Sequence, residues 1–596
     1  MLAERVARGE LPPVEERLPK DVMVVEPVES IGEYGGTWRR MAITRADSLV
    51  CHRLGYEALI RWDRTGRNIV PGIAKSWTVA DEGRTYVLHL REGIKWSDGH
   101  PFTADDLVYW YEDEVCNPEM TPIFPTWLGE SPDDCRVTAL SPYVLEFRFG
   151  EPNGLFPERL CTSIYGIFSP RHYLRQFHPK YTDRAKVEKM AKDAGYYSWT
   201  AHYASMRNLT ENPEMPSIRA WLIKQPPPAT QYVAERNPYY WKVDTEGNQL
   251  PYIDRITYTV VQNAEVLNLK AMSGEVDMQA RYIDPSKYTL FMEPRNRRNG
   301  NYHVQVDSGD DSLCVFLNQY SKDPEMRALL QDRRFRIALS VAVNRKEVVE
   351  LLFDGLAEPT RAITAPSDPY WLPRFDELHA EYDPDLANRL LDEVGLKRGR
   401  DGMRRRPSGK PFRQVLHCYP SETGAAADLW LLVTDYWREV GLDFIMKIDA
   451  RALSVMQVSN GDSDFWGYSQ GGIHWAINGG GYVPLSSWSY FAPLYGRYVS
   501  RDGESGVPPS PEMQRLVDWY REMERTVGDE ERKLQLGRKI LNQWAEEVYV
   551  VGIVKQSQLT IISNRFKNVP DKMIQSWMLY TPGYLEPEQF YLEAGE

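Results

Sequence analysis

The stretch from Phe465 to Trp488, FWGYSQGGIHWAINGGGYVPLSSW, combines flat aromatic rings with neutral polar side chains and clustered glycines. A pyranose presents an apolar face that stacks on an aromatic ring, and its hydroxyls need planar donors and acceptors. Glycine lets the backbone approach a ligand closely. We therefore predict a sugar-binding stretch, with a glycine-rich surface loop carrying core tryptophans as the alternative. The candidate ligand-binding residues are Trp466, Tyr468, Gln470, His474, Trp475, Asn478 and Trp488.

An enzyme that cleaves sugars is the rival interpretation of this stretch. Glycoside hydrolysis needs two carboxylates facing one bond at a set separation, and Asp464 is the one acidic residue that stands out beside these aromatics. The sequence has no GxSxG, HExxH, phosphate-loop or GxGxxG segment. The ten histidines are scattered without i, i+4 pairing. We predict a binding protein without catalytic residues, metal or cofactor, and keep a carbohydrate-active hydrolase as the alternative of a different class.

Length, net charge and the absence of long apolar runs limit the kinds of partner and the cellular compartment that the sequence predicts. The chain has 596 residues and a net charge of −13, so it is long enough for more than one domain and lacks the basic surface that nucleic-acid binding requires. No apolar run approaches the roughly 18 residues of a membrane helix. The charged, proline-bearing first residues do not resemble a secretory leader, so either the protein is cytosolic or a leader has been removed.

Six cysteines, at positions 51, 116, 135, 161, 314 and 418, contain no CxxC pair. A zinc or thioredoxin-type site is therefore not predicted. Cys116 and Cys135 bracket a short loop and are the first pair to examine for a disulfide, with free buried thiols as the alternative.

Strand and helix patterns alternate along the whole chain. TYVLHL (85–90) predicts a strand, and ADDLVYWYEDEV (104–115) predicts a helix capped by Thr103. Asp105 and Asp106 fall in the first turn of that helix, where they face its positive end, so we do not interpret them as catalytic. We further predict one long helix over 332–354, a helix over 426–442, two helices over 510–548 and a β-rich return over 549–563. That late return indicates a discontinuous lobe in an α/β architecture.

The segment IAKSWTVADEGRTYVLHLREGIKWSDGHPFTADDLVYWYE resembles the signature of the family 5 extracellular solute-binding proteins of ABC transporters. ERNPYYWKVD, LPYIDRITY, GEVDM and DRRFRIALSVAVNRKEVVE resemble the middle region of that family. GEYGGTWRRM and the length are similar to the larger members, which bind oligosaccharides and opines. In the family the signature region is mostly structural, so Trp96 and Trp110 are expected to mark the fold.

The resemblance implies an α/β, periplasmic binding protein type 2 fold, with two lobes around a ligand cleft and an extra subdomain in the first lobe. We expect a first lobe over 1–305, with its signature subdomain at about 55–180, a second lobe over 306–547, and a return to the first lobe over 548–596. The crossing strands would lie near YHVQVDSG and VYVVGIVK. A monomer is expected in the periplasm, or tethered to the membrane outside the cell, with an ABC permease as its partner.

The same resemblance implies where a ligand binds. Peptide-binding members carry an aspartate in the second lobe, whereas Gly471 and Gly472 stand in the corresponding region here. A buried ammonium without a partner is costly, so we expect an oligosaccharide or sugar-derived solute, with an oligopeptide as the alternative. Arg39 or another cation would favour an opine or a sugar acid by holding its carboxylate. The further candidates on loops facing the cleft are Tyr34, Trp38, Arg39, Trp127 and Asn318, although Tyr34 and Trp38 could equally pack under the first lobe.

Overall fold

A computed structural model describes residues 1–44, 47, 53–162, 166–418 and 425–594. Its centre is a mixed sheet built on two long antiparallel strands, Tyr302–Leu317 and Val550–Ser563, here called the first and second crossing strands. They correspond to the predicted strands near 302–309 and 548–555. Both are rich in β-branched and apolar residues, which favour strands. From one edge to the other the sheet runs Met278–Gln279, second crossing strand, first crossing strand, Phe465–Gly471, Arg413–Cys418 and Asp443–Ile448.

Two four-stranded sheets occupy the first part of the chain. One runs Thr37–Ala42, Arg255–Val260, Gln231–Arg236 and Trp221–Gln225. The other is antiparallel and runs Ala74–Ala80, Thr85–Leu90, Val144–Phe149 and Cys135–Ser141, so the predicted strand over 85–90 is confirmed.

The segment around the signature helix is structural, as expected. Its helix is α-helical over Ala104–Tyr109 and continues as a π-helical turn over Trp110–Val115. Asp106 Oδ2 accepts from the Thr103 backbone N–H at 3.0 Å and from Trp96 Nε1 at 3.3 Å, so this carboxylate caps the helix and fixes an indole. Trp96 and Trp110 are buried in the same core.

Helices cover the remaining faces of the sheets. The segment 332–354 is two helices, Arg333–Val341 and Arg345–Phe353, and the prediction of one continuous helix is wrong. Asn344 interrupts it because its side chain accepts from the Glu347 backbone N–H and caps the second helix. The other helices of eight or more residues in the described ranges are Arg184–Asp193, Trp199–Met206, Ala264–Met272, Pro324–Gln331, Pro384–Glu393, Ala425–Glu439, Arg451–Ser459, Pro493–Ser500, Pro511–Arg525 and Glu530–Glu547.

The hydrophobic cores divide along the chain in a way that matches two lobes. The largest core joins buried residues between Val25 and Met278 to residues of the C-terminal return such as Leu579, Leu585 and Phe590. Two other cores consist almost entirely of residues between Leu313 and Val554. The lobe boundaries at 305 and 547 stay a prediction. Among the described residues, no helix combines the length and apolar character needed to cross a bilayer.

The five cysteines within the described ranges are free thiols, including Cys116 and Cys135. Cys135 is buried, which raises the pKa of its thiol to about 12. Tyr111 donates a hydrogen bond to the Cys135 carbonyl oxygen. Cys51 lies outside the described residues.

A buried ionic cluster fixes the C-terminal return to the first lobe. Lys242 is completely buried, and its Nζ lies 2.7 Å from Glu588 Oε1 and 3.2 Å from Glu57 Oε1. Tyr240 donates its hydroxyl to Glu57 Oε1 at 2.6 Å. Burial raises the pKa of Glu57 to about 7. The Lys242 ammonium therefore pairs with two buried carboxylates that lie 531 positions apart in the sequence.

Replacing Lys242 by Met is expected to destabilise the protein by about 3–5 kcal/mol, because it removes the cation that pairs directly with two buried carboxylates. The loss should be smaller at pH 5.5 than at pH 8, since protonation of Glu57 removes one of the two charges. Denaturant midpoints at both pH values measure the effect. Lys20→Met, which breaks the exposed Lys20–Glu92 pair, is the control and should leave the denaturant midpoint nearly unchanged. Equal losses in the two variants would contradict this role of Lys242.

Candidate functional site

A cavity of about 300 Å³ lies where the two lobes and the crossing strands meet. The first lobe, the second lobe, both crossing strands and the C-terminal return all contribute to its walls. Sites between lobes are where solutes are enclosed in two-lobed proteins. The polar and aromatic lining residues are Arg40, Arg53, Arg281, Tyr282, Asp310, Asp311, Arg451, Tyr468, Ser469, Gln556, Ser557, Gln558, Gln575, Ser576, Trp577 and Thr581.

Two aromatic rings from different parts of the chain line the cavity. Tyr468 lies on the strand Phe465–Gly471, and its ring stacks at 4.3 Å on the buried ring of Trp466 two residues earlier. Tyr490 packs edge-on against Trp466 at 4.4 Å. This buried support fixes the orientation of the Tyr468 ring. Trp577, on the C-terminal return, is 53% exposed and has the Arg53 guanidinium 3.3 Å from its ring centroid.

Neutral amides and hydroxyls make up a large part of the cavity wall. Because side chains alternate along a strand, Gln556 and Gln558 belong to one face of the second crossing strand. The Gln558 amide is held by the Ala280 carbonyl at 3.0 Å, and the Gln575 amide donates to Asp307 Oδ2 at 3.1 Å. The amides of Gln558 and Gln575 are therefore oriented by the fold.

Asp310, on the first crossing strand, links three segments beside the cavity. Its Oδ1 accepts from the backbone N–H groups of Gly472 at 3.0 Å and Ile473 at 2.6 Å, and its Oδ2 accepts from Ser576 Oγ at 2.8 Å. Burial raises the pKa of this carboxyl group. The neighbouring Asp311 is exposed and pairs in register with Gly471. Two carboxylates of the first crossing strand therefore lie beside Gly471 and Gly472.

His474 joins the second lobe to the first. Its ring stacks on Trp62 with centroids 3.8 Å apart, and its Nε2–H donates to the Gly66 carbonyl at 2.7 Å. Its backbone N–H donates to Asp368 Oδ2 at 2.9 Å. Burial lowers the pKa of His474 to about 4. In this structure His474 makes an interlobe contact, and the described cavity lining does not include it.

Tyr468 lines the cavity, and the other candidates from the glycine-rich stretch lie elsewhere. Trp466 and Trp475 are buried in the second-lobe core, where Trp475 packs on Tyr370 at 5.5 Å. Gln470 is buried next to the cavity-lining Ser469. Asn478 is exposed, and Trp488 is 59% exposed. A ligand role for these residues stays a prediction.

The candidates from other loops are placed mainly by packing. Trp38 is buried against Phe566 at 5.0 Å, and Trp127 stacks on Trp110 at 6.2 Å within the signature subdomain. Tyr34 donates its hydroxyl to the Gln249 carbonyl at 2.8 Å. Asn318 is buried and donates its amide to the Ser463 carbonyl at 3.2 Å. Neither this group nor Arg39 contributes to the described cavity lining.

Sequence reasoning missed Arg40 and Trp577, which do line the cavity. Arg40 follows the candidate Arg39, and the alternation of side chains along Thr37–Ala42 places the two arginines on opposite faces. That alternation was a usable signal. Trp577 gave no comparable signal, because its position depends on the C-terminal return folding back beside the crossing strands.

One group among the described residues has the composition of a metal site. The potential ligand atoms of Asp98, His100 and His172 all lie within 4.8 Å of one another. His172 Nε2 is 2.7 Å from Asp98 Oδ2, and the two imidazole rings stack at 4.1 Å. The histidine spacing along the sequence did not indicate this group, since 72 residues separate His172 from His100. It belongs to the signature region and is separate from the cavity.

His474→Gln is expected to be less stable than the natural protein at pH 8, and the difference should shrink as the pH falls. The low folded-state pKa means that the folded protein binds fewer protons than the unfolded chain between pH 6.5 and about 4. The contribution of neutral His474 is therefore complete above pH 6.5 and is lost toward pH 4, by up to about 3 kcal/mol. Denaturant midpoints of both proteins from pH 8 to 4.5 measure the difference. Asp368, whose pKa burial raises to about 7, is present in both proteins and cancels. A difference that does not vary with pH would contradict the assignment.

Comparison with known proteins identifies the family. The family model described as bacterial extracellular solute-binding proteins, family 5 middle, matches residues 68–498. The periplasmic alpha-galactoside-binding protein of Rhizobium meliloti (strain 1021) is 26% identical to the chain, over 95% of this chain and 83% of that protein.

Solved structures of solute-binding proteins resemble this chain over nearly its whole length. A structure of an oligopeptide-binding protein OppA has a TM-score of 0.80 and 35% identity, covering 100% of this chain and 96% of that one. The periplasmic binding protein MelB of Agrobacterium fabrum C58, solved with stachyose, has a TM-score of 0.72 and 20% identity, covering 99% and 90% of the two chains, and shares the fold. These relatives bind solutes and are not enzymes, so the prediction of a two-lobed binding protein without catalytic function is confirmed. The chain belongs to family 5 of the bacterial extracellular solute-binding proteins.

Proposed function

We propose that the protein captures an oligosaccharide or another sugar-derived solute in the cavity between its lobes and delivers it to an ABC permease. Membership of family 5 establishes the general role of a solute-binding protein for an ABC importer. The class of solute is the part that we propose. We further propose that the protein acts as a monomer outside the inner membrane, in the periplasm or tethered to the membrane.

The observation that carries the sugar proposal is the composition of the cavity wall. It combines the Tyr468 and Trp577 rings with neutral side-chain amides, those of Gln556, Gln558 and Gln575. A sugar ring needs both kinds of partner, since its apolar face stacks and its hydroxyls each donate and accept. The relatives named above that bind an alpha-galactoside and stachyose support the same class.

An oligopeptide remains the second candidate because a specific feature favours it. Asp311 is an exposed carboxylate at the cavity and is suited to a peptide ammonium group, and the structural relative that is 35% identical is named for oligopeptide binding. The other acidic residue of the cavity lining, Asp310, is less suited to an ammonium group, because it already accepts three hydrogen bonds from neutral donors within the protein. A thermal-shift screen of oligosaccharides, sugar acids, opines and peptides of two to five residues separates the classes. Stabilisation by peptides alone would refute the sugar proposal.

Trp577→Ala and Tyr468→Ala are each expected to weaken binding of the solute found in that screen by about 1 kcal/mol, or roughly fivefold, because each removes one stacking surface. Isothermal titration measures the dissociation constants. Trp488→Ala is the matched control, since Trp488 is similarly exposed but is not among the described residues lining the cavity. Equal weakening by Trp488→Ala, or none by either cavity variant, would place the ligand elsewhere.

Saturation with the same solute is expected to make the protein more compact. A ligand that contacts both lobes binds the closed form more tightly and shifts the population toward it. The first and second crossing strands connect the lobes and are the natural hinge. Small-angle X-ray scattering with and without solute measures the radius of gyration. An unchanged radius at saturation would exclude closure around this ligand.

A further inference from the structure

Arg40 is a buried cation that faces the ligand cavity. It lies on the strand Thr37–Ala42, is 6% exposed and lines the cavity wall. Its guanidinium carbon is 5.2 Å from the Trp38 ring centroid and 5.4 Å from that of Tyr258. The guanidinium therefore packs against two aromatic rings of the first part of the chain.

Within the described residues, no carboxylate or carbonyl pairs with this guanidinium. Its Nε and Nη1 are buried and make no hydrogen bond. The adjacent Arg39 differs completely, because its Nη2 lies 2.7 Å from Asp277 Oδ1 and its Nε lies 3.1 Å from Asp277 Oδ2. One strand therefore carries an arginine paired within the fold and an arginine for which the described part of the chain provides no counterion.

A buried charge without a partner destabilises the folded protein, and attraction to aromatic rings offsets only part of the cost. Arginine at such a position presents several donors in a fixed fork that matches a carboxylate. An arrangement that is costly for the empty protein becomes favourable if the ligand supplies the anion.

The other charges around the cavity favour an anion as well. Arg53, Arg281 and Arg451 also line it, whereas the acidic lining residues are Asp310 and Asp311. Asp310 is occupied by donors from the protein, and burial raises its pKa. Arg281 is paired with Asp47 at 2.8 Å, so its charge is compensated, in contrast to that of Arg40.

We infer that the solute carries a carboxylate and that Arg40 binds it. This inference rests on the proposed function and narrows it, from sugar-derived solutes in general to those that bear an acid group, such as a uronic acid or a sugar–amino acid conjugate. Trp577 and Tyr468 then contact the uncharged part of the same molecule. Arg40 is the residue that discriminates an acidic solute from its neutral analogue.

The test compares a galacturonic acid trisaccharide with its methyl ester, which has the same rings and no charge. Isothermal titration of the natural protein should show at least tenfold tighter binding of the acid. Arg40→Gln should lose that preference by weakening the acid and leaving the ester nearly unchanged. Equal affinity of the natural protein for acid and ester, or a preference that survives in Arg40→Gln, would overturn the inference.

A tripeptide and its C-terminal amide form a second matched pair that distinguishes the sources of a carboxylate. A preference for the free peptide that depends on Arg40, without binding of either saccharide, would support the carboxylate and refute the sugar proposal. Binding of the ester with the same affinity as the acid would support the sugar proposal and refute the carboxylate. The sugar proposal and the inference of a carboxylate can therefore be refuted independently of each other.

Stability of the ligand-free protein gives a readout that does not depend on the choice of solute. Arg40→Gln should keep or raise the thermal midpoint, because it removes an uncompensated buried charge. Arg39→Gln is the matched control on the opposite face of the same strand and should lower the midpoint, because it leaves Asp277 buried without its cation. A fall in the midpoint of Arg40→Gln as large as that of Arg39→Gln would show that Arg40 is structural and would overturn the inference.

Discussion

The carboxylate of Asp310 is the constraint on which the cavity depends. Three segments distant in sequence, namely the first crossing strand, the loop at Gly472 and Ile473 and the C-terminal return at Ser576, meet at its two oxygens. A buried carboxylate must be satisfied by donors, and here all of them are neutral. Because the donors come from two segments, the loop at Gly472 and Ile473 and the C-terminal return at Ser576, satisfying one acid also positions two parts of the cavity wall.

The hydrogen bonds to Asp310 also position the residues that follow its donors in the sequence. The loop held by Asp310 continues directly into His474, whose stacking on Trp62 makes the contact between lobes. Ser576 is followed by Trp577, so the same carboxylate positions the segment that carries a second aromatic ring of the cavity lining. Interlobe contact and ligand surface are therefore mechanically connected through a few residues.

Local features of the fold were predictable from the sequence, whereas the cavity was predictable only in part. The Thr103 cap and the crossing strands follow from short-range patterns, and the structure contains them. The buried position of Trp466 beneath Tyr468 was not resolved by composition, because both residues suit a sugar and their burial depends on packing against other strands. Trp577 and the proximity of Asp310 to Gly472 are long-range consequences of the C-terminal return. A pattern read along one segment cannot contain them.

The contrast between Arg39 and Arg40 shows how one strand divides stability from recognition. Alternation of side chains puts Arg39 beside Asp277, where the pair is complete before any ligand arrives. It puts Arg40 at the cavity, where the fold provides two aromatic rings and no anion among the described residues. A protein that needed only stability would gain by replacing Arg40 with an apolar residue of similar volume. Retaining a charge there costs free energy in the empty state, and that cost is recovered when a solute brings the missing carboxylate. The same balance sets selectivity, because a neutral analogue occupies the cavity and still leaves the guanidinium unpaired.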